Sequence, residues 1–306
     1  MKRAVSISIG SSKRDKSVEI EILGEKVRLE RIGTDGDLEK AARLYGELDG
    51  QVDAFGVGGT VLGLMVDNCW YPMVSIHSMV RNIHKTPVVD GTGLKLTLEK
   101  RVAKVIETQI GDRVNPKRAL VMTAVDRWGM AQAFLAASYE CVFGDFIYSL
   151  GIPIPVYKEA TIKRLARVLL PIVNRLPFRW IYPIGESQEY RAPKGEQYFH
   201  WASVISGDCH YIWRYMPEKL EGKVIVTNTT TVEDREFFKN AGVKYLLTTT
   251  PVLEGRSFGT NMMEAAIIAA VGRKEPVDYH QPGTYFDEMN RLVDELNMTP
   301  KIQELF

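Results

Sequence analysis

The sequence is short of everything that staples, spans or attracts. Its three cysteines, Cys69, Cys141 and Cys209, are an odd number at wide spacing. That excludes a disulfide framework and reads instead as reduced thiols in a cytoplasmic protein. No window approaches the roughly 20 apolar residues that cross a bilayer. The N-terminal MKRAVSISIGSSKRDK has too short an apolar run, and no cleavage site, for a secretory signal. Lysine and arginine total 39 against 38 aspartates and glutamates, a net +1 that offers no field to nucleic acid or an acidic membrane surface. The expected partners are therefore a small-molecule substrate, no nucleic acid and no membrane, with a homodimer as the possible assembly. His210 stands beside Asp208 and Cys209, but the spacing fits no metal motif, and no metal is expected.

Glycine is missing where it would tell most. Residues 118–145 read RALVMTAVDRWGMAQAFLAASYECVFGD: strand, turn, helix, strand, then an acid. This is the layout of a dinucleotide-binding βαβ unit. Its turn carries three glycines, for the tight bend, for the approach of a pyrophosphate and for the packing of helix on strand. Here the turn holds only Gly129, and Thr123 and Asp126 stand near the places of the first two. The fold is more plainly written than the cofactor.

What is present is alternation. A chain of 306 residues exceeds the size at which one hydrophobic core stops growing, so two domains are expected. Strand-like runs at 4–9, 18–23, 27–32 and 52–57 alternate with helical spacing at 38–48, 75–84 and 94–110. The polar segment 111–116 then marks a boundary. Beyond it, strands at 118–125, 141–145, 180–183, 203–207, 224–227 and 243–248 are interleaved with helices at 129–138, 158–174, 232–241 and 261–271. Such alternation predicts an α/β protein of two domains. Residues 1–115 form a substrate domain with a linking helix. Residues 116–272 form a Rossmann-like, doubly wound, mostly parallel sheet, and 273–306 a helical extension that packs back.

In a doubly wound sheet ligands bind beyond the carboxyl ends of the strands. The candidates in the second domain are therefore Thr123, Asp126, Arg127 and Gly129, then Asp145, Gly185-Glu186, Asp208 and His210, and Thr227 and Asn228. Taken singly, Thr and Asp cap helices; as a row converging on one edge they read as a ligand site. Asp145 lies 16 residues past Gly129, where it either bonds an adenine ribose or ends a turn in solvent. No arginine follows it, which favours NAD over NADP. In the first domain Asp90, within Asp90-Gly-Thr-Gly93, ends a strand on a turn facing a cleft between domains. An acid there can take part in proton transfer, with Lys95 and Lys85 as neighbouring cations. Glu264, on a helix of small residues, is a further acid for the same mouth. Residues 158–179 form a basic amphipathic stretch, read as a kinked helix over the sheet.

The turn Asp90-Gly-Thr-Gly93, the linking helix, the strand at 119–125 and Gly259-Thr-Asn-Met-Met-Glu-Ala-Ala266 together resemble the shikimate/quinate 5-dehydrogenase family. The resemblance implies a two-domain layout over most of the chain, Asp90 as the catalytic acid, Glu264 near the family's substrate-contacting glutamine, and NAD or NADP as cofactor. The family's lysine motif, Asn-Val-Thr-x-Pro-x-Lys, is missing, and its glycine turn is replaced by Ala124-Val-Asp-Arg-Trp128. The function expected on this basis is an NAD(P)-dependent oxidoreductase of a small hydroxylated, quinate- or shikimate-like metabolite. The alternative is a non-redox enzyme or a metabolite-binding protein with a degenerate Rossmann-like site.

Overall fold

The computed structural model describes residues 1–176, 190–250, 252–253, 256–281 and 283–306. The run at 180–183, Gly185-Glu186 and the end of the basic stretch lie outside the described residues. The chain opens with β1 (Lys2–Ser8), β2 (Lys16–Ile22), β3 (Glu25–Gly33), α1 (Leu38–Leu48), β4 (Ala54–Gly58), β5 (Gly63–Val66), β6 (Cys69–Pro72), α2 (Val74–Val80) and β7 (Val88–Val89). Next come α3 (Thr92–Thr97), α4 (Val102–Ile110), β8 (Arg118–Val121), α5 (Trp128–Ala136), β9 (Glu140–Phe143), α6 (Asp145–Tyr148) and α7 (Glu159–Val173). Then follow α8 (Glu196–Trp201), β10 (Val204–Ser206), α9 (Cys209–Tyr215), β11 (Val224–Thr227), α10 (Val232–Asn240) and β12 (Tyr245–Thr248). The chain closes with β13 (Val252–Leu253), β14 (Arg256–Ser257), α11 (Thr260–Val271), α12 (Gly283–Glu295) and β15 (Lys301–Glu304).

These elements form two α/β units. The first comprises Met1–Leu94, Leu170–Ser187 and Val252–Asn297, the second Lys95–Leu169, Gln188–Pro251 and Met298–Phe306. The expected boundary near residue 115 falls inside the second unit. The helix at 261–271, placed from sequence in the Rossmann-like half, belongs to the first.

In the first unit the sheet order is β2-β3-β1-β4-β7. Strands β3, β1, β4 and β7 are parallel, and β2 pairs antiparallel on the outer side of β3. β1 is buried from Ala4 to Ser8, as a central strand covered on both faces must be, and its near-continuous apolar run follows from that. The small and apolar side chains of α11 bury almost the whole helix. Gly56 lets it approach, because a Cβ there would sit 3.0 Å from the Asn261 carbonyl oxygen. Asp37 caps α1 by accepting from the Lys40 N–H at 2.8 Å, a contact of a type that contributes about 1 kcal/mol. The hairpin β5–β6 was not expected; Asp67, in the left-handed region at φ 60°, turns it.

In the second unit the order is β15-β12-β11-β10-β8-β9. β8 to β12 are all parallel, and β15 joins β12 antiparallel. Counted along the chain, the parallel strands lie second-first-third-fourth-fifth, a doubly wound arrangement whose direction reverses between β8 and β10. The expectation of an α/β fold with a doubly wound, mostly parallel sheet holds. The C-terminal segment departs from it: helix α12 ends at Glu295, and Lys301–Glu304 is an edge strand. The linking helix is also broken, into α3, a 3-10 turn at Glu99–Arg101 and α4. The core around Leu120, Val142, Phe199, Ile205, Ile225 and Phe238 carries the sheet on which the site stands. Among the described residues no helix is long and apolar enough to cross a membrane.

Candidate functional site

Because β8 to β12 run parallel, the segments that leave them share one edge of the second unit. Arg127 organises that edge. Its Nη1 donates to Glu99 Oε1 at 2.5 Å and its Nη2 to Asp208 Oδ2 at 2.8 Å, while its Nε lies 3.5 Å from Asp126 Oδ2. Lys95 Nζ donates to Asp126 Oδ1 at 2.7 Å. Asn228 Nδ2 donates to Asp208 Oδ2 at 3.0 Å, and Thr227 Oγ1 donates to Asn228 Oδ1 at 3.1 Å. Arg127 and Glu99 are buried, whereas the side chains of Asp126 and Asp208 remain 22% and 25% exposed. The two aspartates are therefore the groups a ligand can reach. Asp208 also caps α9, accepting from the N–H of the exposed His210 at 3.0 Å.

Burial would drive all these carboxyls toward their neutral forms, and the cations decide which stay charged. Lys95 and Arg127 outweigh burial at Asp126 and hold its pKa below the usual range. Arg127 does the same at Asp208. At Glu99, which is wholly enclosed, burial wins over Arg127 and Lys95 and the pKa rises. The edge thus presents two ionised carboxylates on a buried guanidinium, with no excess positive charge. Sequence reasoning missed Glu99, since an acid in a helical run carries no mark of burial.

The residues expected to hold a dinucleotide do not fit one. Two amides of the turn after β8 are held by an acid of the chain. Asp145 Oδ2 accepts from Ala124 N at 3.1 Å and Oδ1 from Val125 N at 2.9 Å, so a carboxylate of the chain itself occupies the place of a ligand phosphate. Asp145 is accordingly a backbone clasp, not a ribose ligand, and burial pushes its pKa up to about 7. The one glycine of the turn serves the chain too: a Cβ on Gly129 would overlap the Lys95 carbonyl oxygen. Trp128 is buried, as is Thr123, whose hydroxyl finds no partner among the described residues. A pyrophosphate brought here would also meet two cations already matched by three carboxylates.

The proposed proton-transfer group of the first unit is not assembled either. Asp90 ends β7 and is buried, but Oδ2 accepts from Leu62 N at 2.7 Å and Oδ1 from Thr92 N at 2.9 Å. It pins two loops. Lys85 is exposed and its backbone N–H is held by Asp49, while Lys95 is taken by Asp126. Glu264 is fully buried; it accepts from Leu94 N at 3.3 Å and hydrogen-bonds the Tyr285 hydroxyl, so it holds the first turn of α3 and does not face a mouth. Tyr279, stacked on Trp70 with ring centroids 4.5 Å apart, reaches Asp90 at 3.5 Å.

Burial first, and Asp90 second, raise the Glu264 pKa to about 8. The folded state therefore keeps a proton that the unfolded chain releases at the ordinary carboxyl pKa. Stability must fall as pH rises from that value through about 8, with a slope approaching 1.4 kcal/mol per pH unit and none above. Glu264→Gln keeps an acceptor for Leu94 N and has no proton to lose. The variant should flatten the alkaline decline in urea denaturation measured from pH 5 to 9; an unchanged decline would clear Glu264 of it.

No curated protein matches the chain. Among solved structures, a protein assigned as a malic enzyme (malate oxidoreductase) is similar at 12% identity and a TM-score of 0.40, over 100% of this chain and 81% of that one. A Mycobacterium smegmatis protein in complex with β-D-fucofuranose follows at 11% identity and 0.34, over 99% of both chains. A galactofuranose binding protein stands at 14% and 0.36, over 99% of this chain and 94% of that one. Residues 3–90 match the family model described as Domain of unknown function (DUF8753). Residues 93–305 match Domain of unknown function (DUF8754), and the chain belongs to that family.

Proposed function

We propose that this chain is a metabolite-binding protein or non-redox enzyme. Its ligand is a small, neutral, polyhydroxylated molecule held by Asp126 and Asp208 at the carboxyl edge of the second unit. The observation that carries this reading is the pair of partly exposed, ionised aspartates fixed on the single buried guanidinium of Arg127. An ionised carboxylate has about four acceptor sites. Asp126 uses one of them, on Lys95, with Arg127 beside it as an ion pair at 3.5 Å, and Asp208 three, on Arg127, Asn228 and His210 N–H. What remains faces donors, and ligand hydroxyls are donors. Hydrogen bonds to a charged partner contribute roughly 1.5–3 kcal/mol each, and the fixed carboxylates need little reorganisation. Lys95, Arg127 and Asn228 act as positioning residues.

A second reading, the NAD(P)-dependent oxidoreductase of quinate or shikimate type, draws support from Asp90 at the end of β7 ahead of Gly-Thr-Gly93. Melting curves separate the two. Neutral sugars and cyclic polyols should include one that stabilises the protein, by about 2.7 kcal/mol at 100 times its Kd, and Asp126→Asn should abolish the shift. NAD and NADP should give none. A shift with either nicotinamide cofactor, and with quinate or shikimate but no neutral polyol, would replace our reading with the second.

A further inference from the structure

The first unit has a switch point of its own. Its parallel strands lie second-first-third-fourth along the chain, so the winding reverses between β1 and β4, where Ser8 stands opposite Gly58. The loops leaving these strands, at Gly10 and Gly59, touch. Gly59 takes φ +73°, and a Cβ on it would lie 3.3 Å from Gly10 N. Over Gly10 two guanidinium groups converge. Arg14 Nη2 and Arg31 Nη2 lie 2.9 and 3.0 Å from the point a Cβ on Gly10 would occupy, hence within about 6 Å of each other.

Like charges so close need a reason. Arg31 has its counter-ion, Nη1 donating to Asp15 Oδ1 at 2.8 Å and to the Ser11 carbonyl at 3.0 Å, with Nη2 donating to Ser8 Oγ at 3.0 Å. Arg14 meets no carboxylate among the described residues. Two acids face this place as well: Asp15 Oδ1 also accepts from Gly33 N at 2.6 Å, and Asp35 Oδ1 accepts from Ser12 N at 2.8 Å. After burial, it is Arg14 that most lowers the Arg31 pKa, a repulsion that a bound anion would relieve. The backbone N–H groups of Ser11, Gly59 and Thr60 have no partner among the described residues, and the Thr60 hydroxyl is buried without one. Unused backbone donors and two guanidinium forks at a switch point are what a phosphate group requires.

We infer that the carboxyl edge of β1 and β4 is a phosphate-binding site, in which Arg14 and Arg31 clasp the anion over Gly10 and the Gly59-Thr60 loop donates to it. The ligand is a phosphate dianion, either inorganic phosphate or the phosphate group of a small metabolite. This inference is independent of the site on the second unit.

Isothermal titration of the full chain at constant ionic strength tests it, with inorganic phosphate and glycerol 3-phosphate as separate probes and acetate as the control anion. One phosphate per chain should bind, and acetate should not compete. Arg14→Gln, at an exposed position with no side-chain partner among the described residues, should raise the Kd tenfold or more, and Arg14→Lys should restore part of the loss. Tighter binding of glycerol 3-phosphate than of inorganic phosphate assigns the site to a phosphorylated metabolite, and the reverse assigns it to the free ion. Absence of binding by either probe, or binding that Arg14→Gln weakens less than tenfold, overturns the inference.

Discussion

Replacing Arg127 by alanine is expected to remove about 3–5 kcal/mol of folding free energy, the loss typical when one partner of a buried ion pair is deleted. The guanidinium is enclosed, and it is the shared counter-charge of Glu99, Asp126 and Asp208. Without it Glu99, only 1% exposed, would have to take up a proton or stay charged with Lys95 as its nearest compensation. The two aspartates would repel each other across the vacated space. Urea denaturation at pH 7 measures the loss. A double-mutant cycle with Glu99→Gln then separates the pair from mere packing: the double variant should be more stable than Arg127→Ala alone, because the stranded carboxyl is gone. A single variant that loses under 1 kcal/mol would mean that the cluster is solvated and that Arg127 positions nothing. The same variant should lose the polyol response, since Asp126 and Asp208 would no longer be held in register.

How far the sequence foretold this site depended on whether the signal was local. The alternation of strands and helices was legible because each element carries its own period. The row Thr123, Asp126, Arg127, Asp208, Thr227 and Asn228 was legible because parallel strands bring their following residues to one edge. Partner choice is a long-range property and was not. Asp145 has the spacing of a ribose ligand, yet its carboxylate closes on Ala124 and Val125, 21 and 20 residues earlier. Glu99 carries the composition of an exposed helix residue and is buried because Arg127, 28 residues on, meets it. Glu264 was expected to face the ligand mouth from its helix of small residues, but its contacts are Leu94 and Tyr285. Arg14 and Arg31 carry no local mark, since one ends a helical turn and the other alternates along a strand. Only the sheet brings them together over Gly10.

Substituting Gly129 by alanine sets two physical effects against each other with opposite signs. Gly129 lies inside α5, and its φ is not positive. By helix propensity alone, alanine should stabilise by about 0.5–1 kcal/mol. Packing predicts the reverse. The new methyl would overlap the Lys95 carbonyl oxygen and stand 3.4 Å from the Leu96 Cα, and a backbone cannot step aside as a flexible side chain can. Overpacking of this sort costs typically 1–3 kcal/mol. Here the displaced segment also carries the Lys95 ammonium that holds Asp126, so the net loss should sit at the upper end, about 2–3 kcal/mol, with a weakened ligand response. Had this glycine been kept to admit a pyrophosphate, alanine would leave stability level or raised and would only block a cofactor. Thermal and urea unfolding of Gly129→Ala therefore decide what the glycine is for: a stabilised variant would reopen the turn to a dinucleotide, and a destabilised one ties it to the contact between α5 and the Lys95–Leu96 backbone.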